Sequence, residues 1–459
     1  ELLDFWRGRL EQQQIEDGAE LTAATEAMIR LARFEGRPAD EYHLAVQLLA
    51  KVRQQIDRLY WPAHLTEAEL LAEKDNASDA ARALFDALRL NPRCSEAWYH
   101  LGLLAIDSFD FDRAEQAITQ LHKINSEHLL ADVLEVRMLL VQREVVGAEV
   151  IIAKALKINP DQRDMLSLAA AAKALRFDEA ALEEAFNRFD EAGPGSPQAH
   201  MVVGRYLSLA RQYDWGESVL REAIRRQPNH SEPRIELGLL LMQAGREEAA
   251  QRELRRAARL DPFNRRVSNQ LQLVDALLNY DRIETEHFVI KYKKGIDAVL
   301  ARDMALWVEP MYQQVTGAFE HRPARQTLIE IMPDEKWFGV RITGMPEIWT
   351  IAACTGDVIS LTPPRSGAFQ RGAYHWTNML RHEFVHTVTL DQTSNRLPHW
   401  FTEACAVSQE ITERDYRTCQ LLAGALQAEK LFSLEDLTWA FVRPKKPTDR
   451  PLAYAQSDW

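Results

Sequence analysis

The chain has few of the residues that mark a disulfide-stapled, membrane-spanning or nucleic-acid-binding protein. Its four cysteines in 459 residues, Cys94, Cys354, Cys405 and Cys419, stand far apart and form no CxxC pair. They read as buried or free thiols, which argues against a disulfide framework and weakly favours a reducing compartment. No apolar run reaches the length of a bilayer crossing, so no membrane span is expected. Acidic side chains outnumber basic ones by 68 to 55, for a formal net charge of −13. Nucleic-acid binding calls for clustered basic residues, so no such partner is expected. The chain begins at Glu1 without a methionine, so a leader could already be missing and the compartment stays open.

What is present is an ordinary globular composition, 46% hydrophobic and 27% charged. The length suits about two or three domains, each with its own core. Residues 1–60 read as helices: apolar positions recur at helical spacing through Leu2, Phe5, Trp6 and Leu10, then Leu44, Leu48, Val52 and Ile56. Gly36-Arg37-Pro38 marks a break between two of them.

From 61 to 262 the chain repeats itself. Pro92, Ser126, Pro160, Pro194, Pro228 and Pro262 fall 34 residues apart. Trp98, Leu101, Gly102, Ala114 and Leu121 sit at matching places in one repeat, and Leu237, Gly238, Ala250, Leu254 and Ala257 in another. The unit around Lys173, Leu182 and Phe186 and the first half of the one starting near Leu129 are degenerate, but both stay in phase. This pattern resembles tetratricopeptide repeats, whose helix pairs stack into a solenoid with a concave face. The resemblance implies a possible protein partner on that concave face, with a rigid spacer as the alternative. The basic run Arg252, Arg255, Arg256, Arg259 reads as a solvated helix face. Residues 263–282 read as a capping helix and linker.

The pattern then changes period. Residues 283–292 alternate as a strand, 297–320 read as a long amphipathic helix, and strands follow at 327–332 and 357–361. Seven of the 11 tryptophans lie beyond residue 284. The strand 357–361 is expected to be a sheet edge that accepts an extended peptide.

Arg381-His382-Glu383-Phe384-Val385-His386 is an HExxH sequence. On a helix, residues four apart lie on one face, so His382 and His386 can hold one metal ion, with Glu383 beside them. Catalytic zinc takes three protein ligands, and Glu403 in Trp400-Phe401-Thr402-Glu403-Ala404 is the candidate third. Leu380, Phe384 and Val388 give the helix an apolar back. These motifs resemble those of the gluzincin superfamily of zinc peptidases, the peptidase MA-like group, over about the last third of the chain. The resemblance implies Zn2+ on His382, His386 and Glu403, with Glu383 as general base toward the carbonyl of a protein or peptide substrate. It also implies a Tyr or His that stabilises the oxyanion: Tyr454 first, His399 and Tyr374 behind it.

Departures from the family are visible as well. Sixteen residues separate His386 from Glu403, fewer than in the clan's aminopeptidases, and Gly344-Met345-Pro346-Glu347 only distantly echoes an exopeptidase box. An endopeptidase is therefore expected rather than an aminopeptidase. Residues 452–457 read as the start of a family helix that runs further in relatives.

The expected fold class is mainly α: an N-terminal α-solenoid of tetratricopeptide repeats, then an α+β zincin-like metallopeptidase domain over 283–459. A tetratricopeptide adaptor with a structural or inactive zinc domain is the alternative, and a zinc hydrolase acting on something other than peptides is not excluded.

Overall fold

A computed structural model describes residues 2–11, 15–35, 40–346, 350–367, 369–370, 372–411 and 416–459. The expected break at Gly36-Arg37-Pro38 and the Glu347 of the exopeptidase echo lie outside them. The chain folds into two compact units, Glu1–Gly238 with Arg252–Ser268, and Leu239–Gln251 with Asn269–Trp459.

The first unit opens with α1 (Leu2–Glu11), α2 (Gly18–Glu35) and α3 (Asp40–Lys51). Helix pairs then follow in regular order: α4 (Pro62–Glu73) and α5 (Ala77–Leu90), α6 (Ser95–Asp107) and α7 (Phe111–Ile124), α8 (Leu129–Val141) and α9 (Val145–Ile158). They continue as α10 (Arg163–Leu175) and α11 (Glu179–Ala192), α12 (Gln198–Leu209) and α13 (Tyr213–Arg226), α14 (Glu232–Gln243) and α15 (Glu247–Leu260), of which the first unit holds α14 up to Gly238 and α15 from Arg252. The second helices end at 90, 124, 158, 192, 226 and 260, each 34 residues after the last. Proline or serine two residues later suits a chain that must leave the helix there.

The turn inside each pair repeats just as strictly. Asp75, Phe109, Arg143, Phe177, Arg211 and Gly245 all have φ between +54° and +70°, at 34-residue intervals. A side chain in the left-handed region is disfavoured, so packing of each helix pair must hold these turns. Small residues permit that packing: a Cβ at Gly238 would lie 2.6 Å from the Leu254 side chain.

The solenoid does not leave its two ends apart. At the first turn, the Lys74 ammonium lies 2.7 Å from Asp261 and 3.6 Å from the centre of the Tyr42 ring, and both members of the ion pair are buried. Asn264 donates from Nδ2 to the Glu73 carbonyl at 3.1 Å and to Asp75 at 2.8 Å. Polar contacts also join the first helices of non-adjacent pairs, with Arg205 2.6 Å from Asp107 and the Tyr206 hydroxyl donating to the Arg137 carbonyl at 3.3 Å. The basic run Arg252, Arg255, Arg256 and Arg259 is exposed.

The second unit contains, among the described residues, a five-stranded sheet. After α16 (Arg265–Leu277) come β1 (Asp281–Glu284), β2 (Phe288–Tyr292), α17 (Asp297–Phe319), β3 (Thr327–Ile331), α18 (Glu335–Thr343), β4 (Ala352–Cys354) and β5 (Val358–Leu361). The sheet order is β1-β2-β3-β5-β4, with β2, β3 and β5 parallel and the two outer strands antiparallel.

Two expectations are corrected here. The strand expected over 283–292 is a hairpin, because the Thr285 N–H and hydroxyl both turn back onto the Phe288 carbonyl and Glu309 grips His287. The strand at 358–361 is interior, and the edge on its side of the sheet is the shorter β4.

One face of the sheet carries Phe288, Ile290, Ile329, Ile331, Ile359 and Leu361 against α17 and the helix after β5, α19 (Trp376–Gln392). Leu380, Phe384 and Val388 are buried in that layer, and the Phe384 ring lies 5.0 Å from that of Phe288. On the other face, the fully buried Arg341 Nε lies 2.6 Å from Glu330, which also accepts from the Ser360 hydroxyl. Residues 239–251 belong to this unit. Thr355 donates to the Gln243 carbonyl at 2.7 Å, Lys291 pairs with Glu247 at 2.5 Å, and Gly245 lies against Val358 of β5. Four helices complete the unit: α20 (His399–Ser408), α21 (Tyr416–Gln427), α22 (Leu434–Val442) and α23 (Asp449–Asp458).

Candidate metal centre

The apolar back of α19 decides which way its polar front points. With Leu380, Phe384 and Val388 anchored in the sheet layer, His382, Glu383 and His386 turn to the opposite side, toward α20. The turn between the two helices passes through Ser394 and Asn395, both at positive φ, and Pro398 precedes the first turn of α20. Asparagine tolerates that backbone region better than most residues. This brings Glu403 beside the histidines.

His382 Nε2 lies 3.2 Å from His386 Nε2 and 3.3 Å from Glu403 Oε2, and His386 Nε2 lies 3.6 Å from Glu403 Oε1. Glu403 Oε2 is buried with no hydrogen bond. One ligand atom from each residue falls within 4.8 Å of the other two. All three residues are buried.

The outward-facing ring nitrogens are both occupied. His382 Nδ1 lies 2.9 Å from Glu410 Oε1, and His386 Nδ1 lies 2.8 Å from the Thr402 hydroxyl. The stretch carrying Glu410 is strapped to α19. Arg381 Nε donates to the Gln409 carbonyl at 2.5 Å, and Asn378 Nδ2 donates to Glu410 Oε2 at 3.0 Å. Neither holder is evident in the sequence. Glu410 is seven residues past Glu403, which is two helical turns, but α20 has ended by then.

The electrostatics suit a cation. Burial pushes His382 down, but Glu403, Glu410 and the Glu383 charge outweigh it and lift its pKa to about 10. For Glu403 burial acts upward, and the neighbouring His386, His382 and His399 overcome it to leave about 2. Two imidazole nitrogens, a carboxylate oxygen without a hydrogen-bond partner and a surplus of negative charge make a donor set that fits zinc, which would take the place of the proton that His382 holds. Two further His/acid groups occur among the described residues, His122 with Asp132 and Glu135, and Glu286 with His287 and Glu309. Both are more exposed, and His287 is already held by Glu309 and stacked on Tyr312.

The structure also brings Tyr454 of α23 to this place. Its ring centre lies 6.3 Å from that of His382. Burial, then the Glu403 and Glu383 charges, push the Tyr454 phenol well above its usual value. His399 Nε2 lies 3.6 Å from Glu403 Oε1. Tyr374 donates its hydroxyl to the Thr362 carbonyl, and burial followed by the Glu383 charge raises its pKa.

Comparison with known proteins bears on the first unit. The tetratricopeptide-repeat family model matches residues 65–127 and 204–265, so the chain carries tetratricopeptide repeats. Such repeats serve protein–protein interaction. Among solved structures, the chain is similar to a tetratricopeptide repeat protein from Parabacteroides merdae, at 12% identity and a TM-score of 0.36, over 56% of this chain and 98% of that one. It is also similar to yeast Tom70, at 13% identity and a TM-score of 0.37, over 60% of this chain and 57% of that one. A search of curated proteins finds no match. Among the described residues, no helix is long and apolar enough to cross a membrane.

Proposed function

We propose that the second unit is a zinc-dependent endopeptidase and that the repeats recruit or present its protein substrate. One observation carries this reading: His382, His386 and Glu403 converge with their ligand atoms within 4.8 Å, while both outer ring nitrogens are held from behind. His382, His386 and Glu403 would hold the ion. When bound, zinc supplies Lewis acidity, lowering the pKa of a water to about 7 and polarising the carbonyl under attack.

The protein's own groups do the rest. Glu383, one residue round the helix from His382, takes the proton of the attacking water and delivers it to the leaving amine. Its carboxylate is left to serve as base because that of Glu403 is committed as ligand. Tyr454 is the donor for the tetrahedral oxyanion. Its raised pKa keeps the phenol protonated, as a donor must be.

The substrate strand would lie on β4, the sheet edge packed beside α19 through Cys354 and Thr387, whose Sγ and Oγ1 lie 3.4 Å apart. Pairing of Ala353 with Ser360, Thr355 with Val358 and Ile351 with Thr362 turns the backbone of Ala352 and Cys354 away from β5. That is the side on which a peptide adds by strand addition.

The test is zinc content and cleavage of an unfolded protein by wild type and Glu383→Gln. About one zinc per chain is expected in both, with cleavage in wild type alone. Wild type that carries zinc and cleaves nothing across a broad substrate panel would leave the adaptor reading in its place.

A further inference from the structure

His386 is oriented quite differently from His382. Behind His382 stands a carboxylate, Glu410, but behind His386 stands the neutral Thr402 hydroxyl, which can give or take a hydrogen bond. That hydroxyl is itself 2.8 Å from the hydroxyl of Thr389, one turn along α19 from His386. Thr389 in turn lies 2.9 Å from the Val385 carbonyl and 3.3 Å from the His386 carbonyl. Thr389 and Thr402 are both 3% exposed, so neither hydroxyl relies on bulk water.

A hydroxyl has one hydrogen, and a backbone carbonyl can only accept. The single hydrogen of Thr389 is therefore spent on the α19 backbone, and toward Thr402 it can only accept. Thr402 must donate to Thr389, which leaves it only an acceptor's role toward His386. The ring must then carry its hydrogen on Nδ1, and the lone pair of the neutral ring falls on Nε2. Nε2 is the nitrogen that faces His382 and Glu403.

We infer that Thr389 and Thr402 form a one-way hydroxyl relay, ending on the Val385 carbonyl, that fixes the His386 tautomer and so aims its Nε2 lone pair at the metal. This rests on the zinc site proposed above. Thr389 touches no ligand atom, yet the relay makes it a positioning residue. Without its hydroxyl, the Thr402 hydrogen has no acceptor on that side and can turn to His386 Nδ1. That selects the opposite tautomer, with Nε2 protonated and closed to a metal.

The test uses Thr389→Val and Thr402→Val, which keep shape and remove the hydroxyl, and Thr389→Ser and Thr402→Ser, which keep the hydroxyl. Zinc affinity is read by chelator competition, and the His386 tautomer by 15N NMR of the histidine-labelled, metal-free protein. Each valine variant is expected to weaken zinc by about 10–100-fold, the scale of lost outer hydrogen bonds around a metal. The serine variants are expected to bind as wild type does, and all four to melt close to wild type without metal. NMR is expected to find Nδ1–H in wild type and Nε2–H gained in Thr389→Val.

A folded Thr389→Val that binds zinc as tightly as wild type overturns the relay. So does Nε2–H in wild type, a readout that stands even where a valine variant fails to fold. Wild type that takes up no zinc while showing Nδ1–H would instead sink the enzyme reading and leave the relay in place.

Discussion

Six turns in this chain share one backbone conformation, yet only the last is built on glycine, and substitutions there and at an earlier turn should move stability in opposite directions. Gly245 has φ +70°, and a Cβ placed on it would lie 2.8 Å from Val358 Cγ2 of β5. Gly245→Ala therefore meets two penalties. A left-handed L-residue costs roughly 1–2 kcal/mol, and forcing a methyl into a packed contact costs roughly 1–3 kcal/mol more. The expected loss is about 2–5 kcal/mol.

Arg143, at φ +67°, already bears the first penalty, and its side chain is exposed. Arg143→Gly should relieve about 1–2 kcal/mol of strain and return about 0.5–1 kcal/mol as glycine's extra freedom in the unfolded chain, for a net gain of up to about 1.5 kcal/mol. Urea unfolding followed by tryptophan fluorescence measures both. Two compact units need not unfold together, so the quantity to compare is the shift of each transition midpoint. If Gly245→Ala falls within about 0.5 kcal/mol of wild type, the size of an ordinary surface change, the tight approach to β5 is wrong.

Other consequences can be measured in the same way. Lys74→Met strands the buried Asp261 carboxylate and should cost about 3–5 kcal/mol, while Lys74→Met with Asp261→Leu should cost clearly less. Equal losses in the single and double variants would show that the pair does not couple the ends of the solenoid. Burial, then the Arg226 charge, hold His200 at about 4, against 6.5 when free. Below pH 6.5 the unfolded chain takes up a proton that the native state refuses, so this stability is complete above pH 6.5 and is lost as pH falls toward 4. It amounts to about 3 kcal/mol at most. His200→Phe should flatten that part of the stability–pH curve, and an unchanged slope would refute the assignment. Glu410→Ala removes the acceptor behind His382 Nδ1 and should weaken zinc by about 10–100-fold in chelator competition, with Glu410→Gln closer to wild type.

What the sequence made legible were the features with a period or a fixed spacing. The 34-residue step located the six helix pairs from α4 to α15, the degenerate stretches included, because a repeat out of phase could not stack on its neighbours. The four-residue step of His382 and His386 put both on one helix face, and Leu380, Phe384 and Val388 declared which face packs on the sheet. What stayed hidden were contacts that close over long separations or use residues without a signal. The β1–β2 hairpin turns on Thr285-Glu286-His287, without glycine or proline, so it read as one strand. The edge strand β4 is three residues long, too short for an alternation to show, and its absence from the reading made β5 look like the edge. Thr402 and Glu410 are ordinary helix and turn residues until α19 is folded against them. Nothing near Lys74 announces Asp261, which lies 187 positions away.

The most direct measurement of the central claim is calorimetric titration of the metal-free protein with zinc, for wild type and for Glu403→Ala. Convergence of His382, His386 and Glu403 predicts about one zinc per wild-type chain and a marked loss of affinity when the carboxylate is removed. A wild type that binds no zinc, or a Glu403→Ala protein that binds it equally well, would contradict the account.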